Sequence, residues 1–173
     1  MATGDYHTKW DASKKVFDEV IHQIDHDGIV LDTDHDIPYL GGISIDGKTV
    51  YRDRLSPSGY TSKKFKWVDT DKYLMIHEHV EKIFLDRGWS YLLAHQLATQ
   101  VEYAAVKNDG YDLNEYDKTL DGWYKNCMKR PVYEDVPENL EQRPYIETKD
   151  LKTLNKMSIT TTLDPEPKGV YHS

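Results

Sequence analysis

Cysteine is almost missing from this chain. Cys127 is the only one among 173 residues, so no internal disulfide can form, and a reducing compartment, the cytoplasm, is the expected setting. Long apolar runs are missing too. Nothing approaches the ~18 consecutive apolar residues of a spanning helix, which excludes a helical membrane protein. The opening residues, Met1-Ala2-Thr3-Gly4-Asp5, lack a basic stretch followed by an apolar one, so no signal peptide is expected. Positive charge is short as well. The net charge of -8 argues against a broad nucleic-acid surface, because phosphate binding needs clustered Lys and Arg. The one local basic run, Lys63-Lys64-Phe65-Lys66, reads as a solvated loop. Phenylalanine is scarce (3 residues) while tyrosine is abundant (13). With Trp10, Trp67, Trp89 and Trp123, these rings are expected to fill the core and its rim. No internal repeat is present.

An apolar fraction of 38% over this length is enough for one domain with a core. Residues 10–24 read as an amphipathic helix, with Val16, Val20, Ile21 and Ile24 at helical spacing and Asp11 or Ser13 as its cap. Two acidic, His-bearing stretches follow, around His26 and around His35, flanking a short apolar run at 29–31. The second, Asp32-Thr33-Asp34-His35-Asp36, has a metal-like composition but not the spacing of a calcium loop, and a solvated turn is the simpler reading. Residues 43–55 form a hairpin pattern around Asp46-Gly47. Residues 60–68 are a loop or a further short strand. Helices are predicted after Asp69 or Thr70, after the Asp86-Arg87-Gly88 stop, and over 115–129 with Tyr116, Leu120, Trp123 and Tyr124 inward. Beyond Pro131, prolines recur and apolar runs are few. The expected architecture is α+β: a small hairpin or sheet on three or four helices, one domain over 1–130, and a mostly irregular tail over 131–173 that wraps it or extends from it. The Thr-rich residues 158–163 are a candidate strand.

The chemistry concentrates in Ile76-His77-Glu78-His79-Val80-Glu81, then Ala94-His95-Gln96 and Glu102. His77 and Glu81 stand at i and i+4, on one helix face; His95 and Glu102 stand at i and i+7 on the next. Two helices joined by so short a link pack antiparallel. Their facing sides would then gather His77, Glu81, His95 and Glu102. That mixture of nitrogen and oxygen donors suits Zn²⁺ or another divalent first-row metal. His79 falls off the stripe and is expected to be exposed or to stand behind a ligand. His26 and His35 read as loop residues, and Cys127, with no His near it in sequence, as an inert thiol.

His77-Glu78-His79-Val80-Glu81 is His-Glu-x-x-Glu. With the preceding hairpin and the following helix it resembles the minimal core of zincin metallopeptidases over residues 41–107, with Glu81 where the usual His-Glu-x-x-His pattern has its second His. The run Tyr91-x-x-Ala94-His95-x-x-Ala98-Thr99-x-x-Glu102 also looks like a group of small bacterial and phage proteins. The resemblance implies a zincin-like fold, a metal ligand set of His77 and Glu81 completed by His95 or Glu102, and Glu78 as general base in a metal-dependent hydrolase, with a peptide or protein as substrate. Glu102 would be a fourth ligand or would orient His95. Tyr91 or Tyr103 would add a hydrogen bond. It also implies an edge strand, 43–45 or 49–54, that aligns the substrate. The alternative is a zincin-fold protein without catalysis, serving as a binding or structural module in a phage or mobile-element setting. A carboxylate–histidine iron or manganese site would need Glu-x-x-His pairs on two helices, and these two helices carry none.

Overall fold

Small side chains on one helix set the centre of the fold. The computed structural model describes residues 3–157, with helices α1 (Thr3–Asp27), α2 (Thr70–Asp86), α3 (Tyr91–Asn108), α4 (Leu113–Met128), α5 (Arg143–Glu147) and α6 (Leu151–Lys156). Ala98 and Ala105 of α3 are buried in one cluster with Ile76 and Val80 of α2, and Ala94 is buried as well. Alanines at a helix contact let two axes approach closely. The pair is sharply delimited. Asp69 caps α2 by accepting from the Asp71 N–H, and Ser90 caps α3 by accepting from Leu93. Between them Gly88 takes a positive φ of 91°, and its N–H bonds to the Leu85 carbonyl at 3.0 Å, closing α2. Val20 of α1, Val101 and Val106 of α3 and Tyr116 of α4 complete this core. No described helix is long and apolar enough to cross a membrane.

A three-stranded sheet flanks the helices. Strands β1 (Val30–Asp32), β2 (Gly41–Ile43) and β3 (Thr49–Arg52) lie in the order β1-β3-β2. β2 and β3 form the hairpin expected around Asp46-Gly47, pairing Gly41 with Arg52 and Ile43 with Val50. β1 joins β3 in parallel. A second hairpin, β4 (Gly59–Thr61) and β5 (Trp67–Asp69), occupies the region left open between loop and strand. Gly59 is required there: a Cβ would sit 2.6 Å from the Trp67 ring.

Several expectations need correction. α1 begins at Thr3, so Asp11 and Ser13 lie inside it, and His26 belongs to its last turn. β3 is the central strand, so 49–54 offers no free edge. The outer edge at 43–45 is covered by the chain itself: Glu141 N–H bonds to the Ile43 carbonyl and Ile45 N–H to the Asn139 carbonyl, both at 2.8 Å. Residues 131–142 are irregular, as their prolines predict, but α5 and α6 follow. Tyr133, Leu140, Tyr145, Leu154 and Met157 build a second core with Ile37, Tyr51 and Cys127. The candidate strand at 158–163 lies outside the described residues.

Ion pairs tie this segment to the sheet. Asp36 and Asp53, both 1% exposed, share the Arg130 guanidinium, which bonds both Asp53 oxygens at 2.6 Å and also Asp36. Asp36 takes Arg54 as well and the backbone N–H groups of Glu134 and Asp135. Removing one partner of such a buried cluster leaves carboxylates unpaired in low dielectric. Arg130→Ala is therefore expected to lower the unfolding free energy by about 3 kcal/mol in urea titration. A loss under about 1 kcal/mol would mean that water replaces the guanidinium without penalty.

Candidate metal centre

The short link between α2 and α3 brings residues distant in sequence to one point. His77 Nε2, Glu81 Oε2 and His95 Nδ1 form a triangle with edges of 3.2, 3.2 and 3.0 Å. Tetrahedral coordination at metal–ligand bonds of 2.0–2.1 Å places neighbouring donor atoms ~3.3 Å apart. The triangle fits that spacing closely. Among the described residues this is the one group of three side chains with metal-ligating geometry. His77 and Glu81 are nearly enclosed, with side chains 12% and 7% exposed. His95, at 44%, opens the centre to solvent.

Glu102 stands behind His77. Its Oε1 lies 2.8 Å from His77 Nδ1, and its other oxygen accepts from the Tyr116 hydroxyl at 2.6 Å. A carboxylate can only accept, so Nδ1 carries the proton and donates. In the neutral ring, Nε2 then presents its lone pair to Glu81 and His95. One way to satisfy this triangle is a second proton on His77. Burial opposes it, but the hydrogen bonds to Glu102 and Glu81 hold the His77 pKa well above its ordinary value. A divalent cation satisfies all three lone pairs at once. The partner of Glu102 is thus His77, not His95, and Tyr116 is a supporting residue that the sequence showed only as an inward aromatic.

Glu78 and Glu81 differ sharply. Burial opposes ionisation of Glu81, but hydrogen bonds from His77 and His95 bring its pKa below the ordinary value. Glu78 is 8% exposed and has no hydrogen-bond partner. Burial, with the negative charges of Glu81 and Glu102 beyond it, pushes its pKa up to about 8 although His77 pulls the other way. Its carboxyl lines a cleft of about 810 Å³ together with His77, His95, Tyr91 and Tyr103. A smaller cavity of about 50 Å³ joins Glu78 to Gly41 and Gly42 of β2. The Tyr91 hydroxyl lies 3.5 Å from His95 Nδ1, whereas the Tyr103 hydroxyl is turned to Asp117.

The remaining candidates go elsewhere. His79 is buried, not exposed; two residues on from His77 it lies ~200° around the helix. Burial lowers its pKa against the pull of Asp27, and its Nδ1 has no partner. His35 pairs with Asp32 at 3.0 Å, and Asp36 belongs to the structural cluster with Arg130. Cys127 donates to the Ile37 carbonyl as a buried thiol. Trp123 and Tyr124, expected inward, line the cleft instead.

No family model, curated protein or solved structure matches the chain. The likeness to zincins therefore rests on the motif and its setting.

The elevated Glu78 pKa has a thermodynamic consequence. The folded protein holds this proton more tightly than the unfolded chain, so the stabilisation is complete below about pH 4.5 and is lost as pH rises towards about 8. His77, also raised, acts in the same direction above its ordinary value. In chelator the melting temperature of the native protein should fall between pH 5 and 8. Glu78→Gln should flatten that slope by an amount equivalent to at least about 1 kcal/mol. Parallel melting curves for the two proteins would rule out the burial of an ionisable Glu78.

Proposed function

We propose that this protein is a metal-dependent hydrolase of amide bonds, with a peptide as substrate. The observation that carries the reading is the triangle of His77 Nε2, Glu81 Oε2 and His95 Nδ1, two of whose members, His77 and His95, line a cleft together with an unpartnered Glu78. His77, Glu81 and His95 would hold a zinc-like cation, with Glu102 and Tyr116 fixing the ring of His77. When bound, the ion supplies Lewis acidity, making water a stronger acid and polarising a carbonyl.

The chain's own groups perform the rest. Glu78 takes a proton from the attacking water and returns it to the departing amine. A carboxyl poised near neutrality suits both transfers. Tyr91, whose pKa is raised by burial and by the charges of Glu81 and Glu78, stays protonated and donates to the oxygen on which charge develops. Gly41 and Gly42 of β2 line the small cavity beside Glu78, and a substrate backbone would pair with the strand edge there. Residues 139–141 cover that edge further along, so the substrate would enter from the Gly41 end. An open cleft on His77 and His95 favours catalysis over a purely structural site, which is normally closed.

Protein prepared without a histidine tag should take up one equivalent of zinc, and His77→Ala should abolish that uptake. Glu102→Ala should weaken it by about 10- to 100-fold. Glu78→Gln should retain the metal while losing at least about 100-fold in kcat on a cleaved peptide. Absence of metal uptake by the native chain, measured by elemental analysis and titration, would sink the hydrolase reading. Uptake with undiminished turnover in Glu78→Gln would remove Glu78 as the base.

A further inference from the structure

We propose that the cleft recognises a cationic side chain, lysine or arginine, on the peptide presented to Glu78. The inference deepens the peptide-hydrolase reading by naming its substrate class.

The cleft continues well past the metal ligands. From His77 and Glu78 it runs between α3 and α4 towards the N-terminus of α6. Its walls carry Asp117 and Asp121, which stand at i and i+4 on one face of α4, and Asp150. Among its described lining residues Arg52 is the only lysine or arginine. That guanidinium is already engaged: it lies 2.8 Å from Asp71 and donates to the Ser56 carbonyl. It leaves little positive charge for a ligand.

Two of the distant carboxylates are held by hydroxyl groups. Asp117 accepts from the Tyr103 hydroxyl. Asp150 accepts from the hydroxyls of Tyr39 and Thr153. Neutral donors support an anion without cancelling it. Asp121 has a cationic neighbour, Lys125 at 2.8 Å, but both side chains are more than half exposed, so water screens the pair. Between these groups lie aromatic rings. Tyr39 and Tyr124 stack at 6.2 Å, and Trp123 lines the same cleft. Aromatic faces attract cations, most of all where water is partly excluded.

A separate observation indicates that the cleft awaits a ligand. Glu78 is more than nine-tenths buried, lines the cleft and has no hydrogen-bond partner. An unpartnered carboxyl that opens on the cleft is free to meet a group supplied from outside. An anionic side chain entering here would meet carboxylates on several walls. A neutral one would gain only aromatic contact. A lysine or arginine gains both the rings and the charge.

The test is a binding measurement on the full chain carrying Glu78→Gln, with zinc and without it, so that hydrolysis plays no part. The probes are the N-acetyl amides of arginine, lysine, norleucine and glutamate. Norleucine keeps an apolar stem like that of lysine but not the charge. The arginine and lysine amides should bind at least tenfold more tightly than the norleucine amide, and the glutamate amide most weakly. The preference should collapse in Asp117→Asn combined with Asp121→Asn, and shrink as salt rises. Equal binding of norleucine, a preference that survives the double substitution, or no measurable binding of either cation overturns the proposal. Such a failure leaves metal uptake and turnover untouched as tests of the hydrolase itself. Conversely, a failure of zinc uptake leaves the cation preference readable on zinc-free protein.

Discussion

A buried imidazole with a carboxylate facing each of its nitrogens is the constraint around which this molecule is organised. His77 is held through Nδ1 by Glu102 and faces Glu81 through Nε2. The ring cannot rotate without abandoning one of these anions in a nearly enclosed site. Its orientation in turn fixes where a lone pair points, and hence where His95 and Glu81 can share a ligand with it. Tyr116 extends the chain of hydrogen bonds into the first core. The triangle of His77, Glu81 and His95 is thus coupled to the packing of α2, α3 and α4 together. A site built on rigid helices in this way holds its geometry better than one built on loops.

The second core solves a different problem. Lys82 follows Glu81 on α2, and its ammonium is buried between Glu141 at 3.0 Å and Asp86 at 3.0 Å. Arg143 bonds the same Glu141 and Asp86 and also caps the Leu85 carbonyl at the end of α2. Burial works against the charge on Glu141, but hydrogen bonds from Arg143 and Lys82 bring its pKa down to about 2. These pairs fasten residues 139–143 across the end of α2 and along the edge of β2. One segment therefore closes a sheet edge that would otherwise invite pairing with another chain. It also leaves only the glycine end of that strand edge uncovered beside Glu78.

Much of this was legible in the sequence because it is local. The α2–α3 pair follows from the i, i+4 spacing of His77 and Glu81, the cap at Asp69 and the Arg87-Gly88 stop. The β2–β3 hairpin follows from Asp46-Gly47. What stayed hidden depends on partners far along the chain. Asp36 looked like part of an acidic turn, because its guanidinium partner, Arg130, is 94 residues away. Glu102 shares a face with His95, so nothing local could say that it bonds His77; the relative rotation of α2 and α3 decides that. α5 and α6 are too short for periodicity to register. They hold their form through Tyr145, Leu154 and Met157 in the second core. His79 was misplaced because a polar residue off the functional stripe suggests solvent, whereas the opposite face of α2 is packed as well.

Glu78 and Glu81 show how the same side chain acquires two characters within one turn of helix. Both are buried, so both begin with the same penalty against ionisation. Glu81 receives hydrogen bonds from two imidazoles and overcomes the penalty, which makes it an anion fit to hold a cation. Glu78 receives none and lies in the field of the Glu81 and Glu102 charges, which keeps a proton on it up to about pH 8. In the proposed hydrolase, carboxyls driven apart in this way would divide the roles of ligand and proton carrier between them. A bound cation would also lower the pKa of Glu78, moving it towards the range in which it both accepts and releases a proton at neutral pH. The division depends on Glu78 having no partner of its own. A hydrogen-bond donor placed beside it would bring its pKa down as it does for Glu81, and would deprive the proposed reaction of its base.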